Sequence, residues 1–365
     1  MPAGEAVCAL RERARVTHAA WSPDGSATLA TGSEDGRARL WAIDLNPAAA
    51  AGRPRLAHVL EAHRGPVTHV AFDAYGGVLA TSSADGSACV WDADAGALLH
   101  VVGPGLHTAG VNQAVFSPNG RTLATASDDE TARVWDLMGD VEPAGECLHT
   151  LAWGSGKVNR VAYTPCGRFV VLVTHQPNAG KKMYRILLWS AVSGRICRWY
   201  DGHQGLITGL AWLPPAAGRT GDAATDGQPA ATGSWDGTLR LWTLAAQPQG
   251  AGGQDLEIEE FQGPRLPVRG NRGLPASEAM HAGAVLALAA DGGPAGGAGG
   301  DVALASGHVD GAVRVFAAAT TECVADFQAH VGPVEAVAWA DCGEYFATAG
   351  GEDGRVRVWR RPAGV

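Results

Sequence analysis

Three things that whole classes of protein depend on are missing from this sequence. There is no basic excess: 28 Lys plus Arg stand against 37 Asp plus Glu in 365 residues, a net charge of −9. Such a chain lacks the positive face needed to wrap DNA or coat an anionic membrane. There is no long apolar run: stretches such as Val170–Val173 and Val285–Ala290 are far short of the ~20 residues that cross a bilayer. There is also no cysteine framework. Seven cysteines, at 8, 89, 147, 166, 197, 323 and 342, include no C-x-x-C pair, so neither a disulfide scaffold nor a zinc cluster is expected. The first residues lack the charged-then-apolar layout of a secretory signal, and no Asn-x-Ser/Thr sequon occurs. These absences predict an intracellular chain, cytoplasmic or nuclear, with reduced cysteines and no membrane partner.

What the sequence does contain is tryptophan, twelve residues against five Tyr and seven Phe. Six copies of one phrase end in an aromatic: SEDGRARLW (33–41), SADGSACVW (83–91), SDDETARVW (127–135), SWDGTLRLW (234–242), HVDGAVRVF (308–316) and GEDGRVRVW (351–359). A seventh, decayed copy is KKMYRILLW (181–189). Successive closing aromatics lie 50, 44, 54, 53, 74 and 43 residues apart. The basic unit is therefore about 43–44 residues with insertions, the mark of a repeat architecture.

Each unit follows one plan. A V-x-x-[VLA]-[AL]-[FWY] segment such as VTHVAF (67–72) precedes a turn such as SPNG (117–120). A strand of small residues like LATAS comes next, then an Asp-Gly turn into an alternating strand ending in Trp, and finally a fourth strand such as ECLHTL (146–151). Four short antiparallel strands, seven times over, predict an all-β, seven-bladed propeller occupying residues 1–365. Gly/Ala/Pro-rich insertions are placed near 214–229, 245–255, 263–280 and 290–301 as surface loops.

With these motifs the chain resembles the WD-repeat (WD40) family over essentially its whole length, although the Trp-Asp pair itself survives only at Trp91-Asp92 and Trp135-Asp136. The resemblance implies a hydrogen-bonded set in each blade: His before the first strand, Ser or Thr on the second, Asp in the turn and Trp on the third. Three sets are complete: His63, Ser83, Asp85, Trp91; His107, Ser127, Asp129, Trp135; and His203, Ser234, Asp236, Trp242. Elsewhere Glu12 falls where the first His belongs. The sixth blade keeps His281 and Asp310 with Phe316 for Trp, the seventh has Gly351 for Ser, and the fourth retains only Trp189. His beside Asp resembles part of a catalytic triad, but a set recurring in several blades is structural, since an active site normally occurs once. The resemblance also implies that an N-terminal strand, Ala6–Leu10, closes the ring beside Val356–Trp359.

No phosphate loop, G-x-S-x-G, H-E-x-x-H or paired-Cys motif is present, so no enzyme activity, cofactor or metal is expected. The leading reading is a protein–protein interaction scaffold. Others are a chromatin-associated subunit reading one peptide, an RNA binder using basic loops at 174–185 and 263–280, and, last, a catalytic propeller. In the family's geometry two positions per blade face the channel entrance. They nominate Glu34, Asn112, Asp128, Asn159, Thr208, Trp235, Glu335 and Glu352 as partner-binding residues, with Thr17, Thr68, Ala84, Leu286 and Val309 completing the ring. Trp235 is the outlier, because no element of the repeat requires an aromatic there. Beside Glu34, Asp128, Glu335 and Glu352 it suits a basic peptide segment, through cation–π contact and charge-assisted hydrogen bonds.

Overall fold

The computed structural model describes residues 6–45, 54–102, 105, 107–138, 145–152, 156–178, 181–214, 227–245, 265–267, 284–291, 302–318, 320 and 322–362. These residues form seven four-stranded antiparallel sheets. Numbered by their innermost strands, the blades begin with Val16–Trp21, Val67–Phe72, Val111–Phe116, Lys157–Tyr163, Ile207–Trp212, Val285–Ala290 and Val334–Trp339. In blades one to six the strands pair in chain order. In blade seven the outermost strand is Ala6–Arg11. It runs antiparallel to Arg355–Arg360, with Ala6 opposite Trp359 and Leu10 opposite Val356. The ring is thus closed by its own N-terminal strand, which leaves neither end of the array as an exposed edge.

The strand types follow from where each sits. Second strands such as Thr122–Ser127 are covered on both sides and nearly every residue is buried, so Ala, Thr, Gly and Ser are the residues that fit. Outer strands such as Glu146–Ala152 are half exposed and alternate. The core is divided into wedges between neighbouring blades. Leu40 and Leu60 of blade one pack with Val67, Leu79 and Trp91 of blade two, and Ala132 and Val134 of blade three pack with Val161, Leu187 and Trp189 of blade four. The third-strand aromatic of each blade therefore rests on the blade before it. Closure repeats the pattern, with Leu10, Val356 and Val358 against Val16 and Leu29.

Every innermost strand carries a bulge at the same place, after its first Val or Ile: the register shifts at Val16/His18, Val67/His69, Val111/Gln113, Val158/Arg160, Ile207/Gly209, Val285/Ala287 and Val334/Ala336. An extra residue re-aims the side chains that follow it. Two segments read as loops differ in the structure. The 174–185 stretch belongs to a long hairpin, Phe169–Asn178 paired with Lys181–Ser190. Within 263–280, Arg265–Pro267 is the outer strand of blade five, paired with Thr238–Arg240, so Arg265 is not in a loop. Residues 215–226, 246–264, 268–283 and 292–301, which hold most of the insertions and His281, lie outside the described residues.

The turn between second and third strands needs a left-handed residue. Glycine supplies it at Gly36, Gly86, Gly237, Gly311 and Gly354, but in blade three the position is Glu130, at φ 69°. A side chain there costs ~1–2 kcal/mol, offset by the ~0.4–1 kcal/mol that glycine loses in chain entropy on folding. Glu130→Gly should therefore raise the chemical-denaturation midpoint by the equivalent of up to about 1 kcal/mol. A lower midpoint would contradict the strain. Deleting residues 1–11 removes a whole strand and uncovers Val356 and Val358. The expected result is aggregation or a large drop in melting temperature, and a monomer with an unchanged melting temperature would rule out the closure.

Candidate functional site

The face bearing the Asp turns, here called the top, is organised by a chain of hydrogen bonds in each blade. In blade two the Trp91 indole donates to Thr81 Oγ1 at 2.9 Å, His63 Nε2 lies 2.7 Å from the same oxygen, and His63 Nδ1 lies 3.3 Å from Asp85 Oδ2. Blade three repeats it through Thr125 (Trp135 2.8 Å, His107 2.8 Å, His107 to Asp129 2.8 Å). So does blade five through Thr232 (Trp242 2.7 Å, His203 2.8 Å, His203 to Asp236 2.9 Å). An ionised Asp only accepts, so Nδ1 carries the hydrogen, Nε2 accepts, and the threonine hydroxyl donates to it.

The hydroxyl in the set is therefore a threonine two residues before the serine that the sequence nominated. Ser83, Ser127 and Ser234 have a different task. Each accepts from the backbone N–H of the turn Asp at 3.1 Å, and Ser83 and Ser127 donate to the carbonyls of Gly65 and Gly110 in the loop above. With Thr348 recognised, blade seven is complete: Trp359 donates at 2.8 Å, His330 Nε2 lies at 2.7 Å, and Asp353 is 3.0 Å from Nδ1. Blade one substitutes charge. Thr31 takes the Trp41 indole at 3.0 Å and donates to Glu12, while Arg39 bridges Glu12 and Asp35 at 2.5 Å each. In blade six His308 Nε2 sits 2.8 Å from Ser306, and Phe316 has no N–H to satisfy. In blade four Leu172 stands opposite Leu187 where the threonine would be. The Trp189 indole N–H is buried without a partner among the described residues.

Burial lowers the pKa of His63, His107 and His330 despite the neighbouring Asp. Burial alone would raise Asp129, but hydrogen bonds from Thr131 and His107 bring it down to about 2. All of these act as neutral imidazoles and ionised carboxylates, a buffer of structure with one polarity.

The entrance positions divide. The bulge residues are tied into the ring: Thr17, Thr68 and Thr208 donate at 2.6 Å to the carbonyls of Val67, Val111 and Val285 in the next blade, and Asn112 donates to Val158 at 2.9 Å. Asn159 has a buried Nδ2 with no partner among the described residues. The turn residues Glu34, Asp128 and Glu352 and the bulge residue Glu335 hold the charge, and three of the four are answered within the chain. Lys157 Nζ is 2.5 Å from Asp128, which also accepts from Asn112 at 2.7 Å. Arg15 is ion-paired with Glu335 and lies 3.6 Å from Glu34. The sequence reading missed Arg15 and Lys157, and the entrance is less acidic than its carboxylates suggested. Glu352 is exposed and Trp235 is 49 % exposed, with the Trp235 backbone N–H fixed to the Leu206 carbonyl at 2.9 Å. At the opposite mouth, aromatics that end the inner strands, among them Trp21, Phe72, Phe116 and Trp212, line a shallow cavity of about 460 Å3.

The family described as "WD domain, G-beta repeat" matches residues 6–42, 54–92, 103–136, 194–243 and 321–360, more than half of the chain. The chain belongs to the WD-repeat family. It is also similar to the F-box-like/WD repeat-containing protein TBL1X of Mus musculus, with 36 % identity over 81 residues. That stretch is 22 % of this chain and 14 % of the mouse protein, so the likeness is to a short part of a much longer relative. The five matched segments omit the first three strands of the fourth blade and of the sixth, where the WD-repeat hydrogen-bonded set is most altered.

Two stability tests follow from the WD-repeat set. Thr81→Val strands both the Trp91 N–H and His63 Nε2, costing about 1–3 kcal/mol, whereas Asp94→Ala on the surface should stay within about 0.5 kcal/mol. Equal urea midpoints for the two variants would contradict the network. The imidazoles, held below the unfolded value of ~6.5, refuse protons that the unfolded chain accepts. Stability is then full above about pH 7 and falls as the pH drops below ~6.5, with a further loss below ~4 as the Asp groups protonate in the unfolded chain. Melting temperatures across pH 8 to 4 check this, and a curve that rises towards acid would reverse the assignment.

Proposed function

We propose that this WD-repeat propeller is a non-catalytic scaffold that holds a partner protein or peptide on its top face within a multiprotein assembly. Propellers of this family are generally interaction platforms, which supports the broad reading. The finer one rests on a single observation: Trp235, half exposed on a backbone-anchored turn, is the large aromatic that the repeat does not need. Buried aromatic anchors carry much of the energy of protein interfaces. An exposed indole face beside the channel entrance suits an Arg- or Lys-bearing segment. Glu352, exposed and with no ion pair among the described residues, adds a carboxylate, while Asp128 and Glu34 would exchange Lys157 and Arg15 for the incoming cation. This makes the partner's charge a matter of exchange more than of steering. The seven cysteines are all unpaired, which accords with a cytoplasmic or nuclear setting.

Affinity purification of the wild type, followed by titration of the recovered partner, tests the reading. Trp235→Ala should weaken that complex at least about thirtyfold, roughly 2 kcal/mol, while leaving the fold intact. Unchanged affinity in both Trp235→Ala and Asp128→Ala would move the site to the outer strands or to the aromatic-lined opposite mouth. A steep fall of affinity with salt in a nucleic-acid titration would replace the protein partner with RNA.

A further inference from the structure

Inside the ring, below the entrance, the third residues of the inner strands line the channel, and they are unequal. Blades one to four supply His18, His69, Gln113 and Arg160, whereas blades five to seven supply Gly209, Ala287 and Ala336. One wall is polar and the other is nearly bare, leaving a cavity of about 110 Å3. For comparison, a cavity of ~150 Å3 admits benzene.

We propose that this cavity binds one small carboxylate or oxyanion, seated on the guanidinium of Arg160. Arg160 can donate five hydrogen bonds, and among the described residues it makes one, from Nε to the Thr208 carbonyl at 2.7 Å. That bond fixes the plane of the group. Its two Nη atoms, with four N–H donors, make no hydrogen bond among the described residues, and Arg160 lines the cavity. A planar fork of this kind matches a carboxylate or phosphate oxygen pair.

One carboxylate faces it, and that carboxylate has a second partner. The groups that titrate or carry charge around the cavity are His18, His69, Arg160 and Glu335. Glu335 interacts with Arg160, but its carboxylate is also ion-paired with Arg15 of the top rim, which has Glu34 3.6 Å away. The imidazoles bring no negative charge. Their rings lie 3.8 Å apart, Gln113 Nε2 is 3.1 Å from His69 Nε2, and Gln113 Oε1 is fixed by the Val161 N–H at 3.0 Å. Gln113 therefore donates to His69, which accepts as a neutral ring. Burial holds His18 at about 3, and the charge of Arg160 adds to the lowering of both rings. A guanidinium enclosed with N–H donors unanswered is costly to bury, and an anion on the cavity side would answer them.

This chemistry can arrive as a free small anion or as the carboxylate of a peptide entering the channel, so the experiment carries both arms. Purified protein would be titrated calorimetrically, at constant ionic strength in chloride, with sodium acetate, inorganic phosphate and sulfate. A second series would use acetyl-glycylglycine with a free and with an amidated carboxyl terminus. The expected result is saturable 1:1 binding of one anion class, lost at least tenfold in both Arg160→Met and Arg160→Lys and retained in Trp235→Ala. The last variant separates this site from the top-face reading. Bound anion also cancels the Arg160 field, so the His18 and His69 ring protons should titrate at higher pH by NMR with the anion than without it. Binding of the free-carboxyl peptide alone assigns the site to a partner's carboxylate; binding of acetate, phosphate or sulfate assigns it to a free anion. No saturable binding by any probe, or binding that survives Arg160→Met, would overturn the proposal.

Discussion

A threonine hydroxyl beneath the tryptophan, present in five of the seven blades, is the contact on which the propeller's top face depends. An indole N–H buried between blades must find an acceptor, and a buried unsatisfied donor costs about 1–3 kcal/mol. Thr81, Thr125, Thr232 and Thr348 accept it and pass their own hydrogen to a histidine. The histidine hands its remaining N–H to an aspartate, and the aspartate accepts from the loop backbone, as Asp85 does from Arg64 at 2.8 Å. A contact at the middle of the third strand is thereby carried to the turn and to the loop leading into the blade. The loops on this face are held from below, a requirement for a rigid binding surface.

The blades that depart from this pattern show what is conserved physically. Blade one replaces neutral donation with charge: Glu12 takes the hydroxyl's hydrogen and Arg39 restores the link to Asp35. Burial raises the Glu12 carboxyl while Thr31 and Arg39 oppose it, so the substitution works only because both partners are present. Blade six removes the need, since Phe316 has nothing to donate, and Ser306 meets His308 and the Arg314 carbonyl. Blade four does neither. Leu172 gives apolar packing and Trp189 keeps an unanswered N–H, while the lengthened hairpin of Phe169–Asn178 and Lys181–Ser190 adds backbone pairing. Blade one keeps the direction of donation, blade six drops the donor, and residue identity drifts around both solutions.

The repeat period, the seven blades and the closing strand were legible in the sequence because each is a pattern of residue types along one line. Which hydroxyl joins the set was not. Thr81 and Ser83 are both plausible acceptors two residues apart on a strand, and they point the same way. Only the register, Thr81 opposite Cys89 and so beside Trp91, chooses between them. The strand at Arg265–Pro267 was hidden for a related reason: three residues inside a Gly/Pro/Arg-rich stretch have no alternation to reveal them, and it is pairing with Thr238–Arg240 that makes them a strand.

Charge is where linear reading falls furthest short, at the entrance and in the channel alike. Counting Glu34, Asp128, Glu335 and Glu352 around the ring gives an acidic mouth, but Arg15 and Lys157 come from different parts of the chain to meet three of them. Arg160 is the converse. In VNRVAY it sits where simple alternation from Val158 would turn it to the same side as Val158, and Val158 is buried between blades. The bulge between Val158 and Arg160 breaks that alternation and turns Arg160 to the axis, as the matching bulges turn His18, His69 and Gln113. Because the same displacement occurs in all seven blades, the channel wall is written by one residue per repeat. Its polarity is fixed by which four of those residues are large. Glycine and alanine in the other three bring no polar group, and at Gly209 even a Cβ would meet Leu288 of the next blade at 2.6 Å, so the bare wall goes with the close approach of blades five and six.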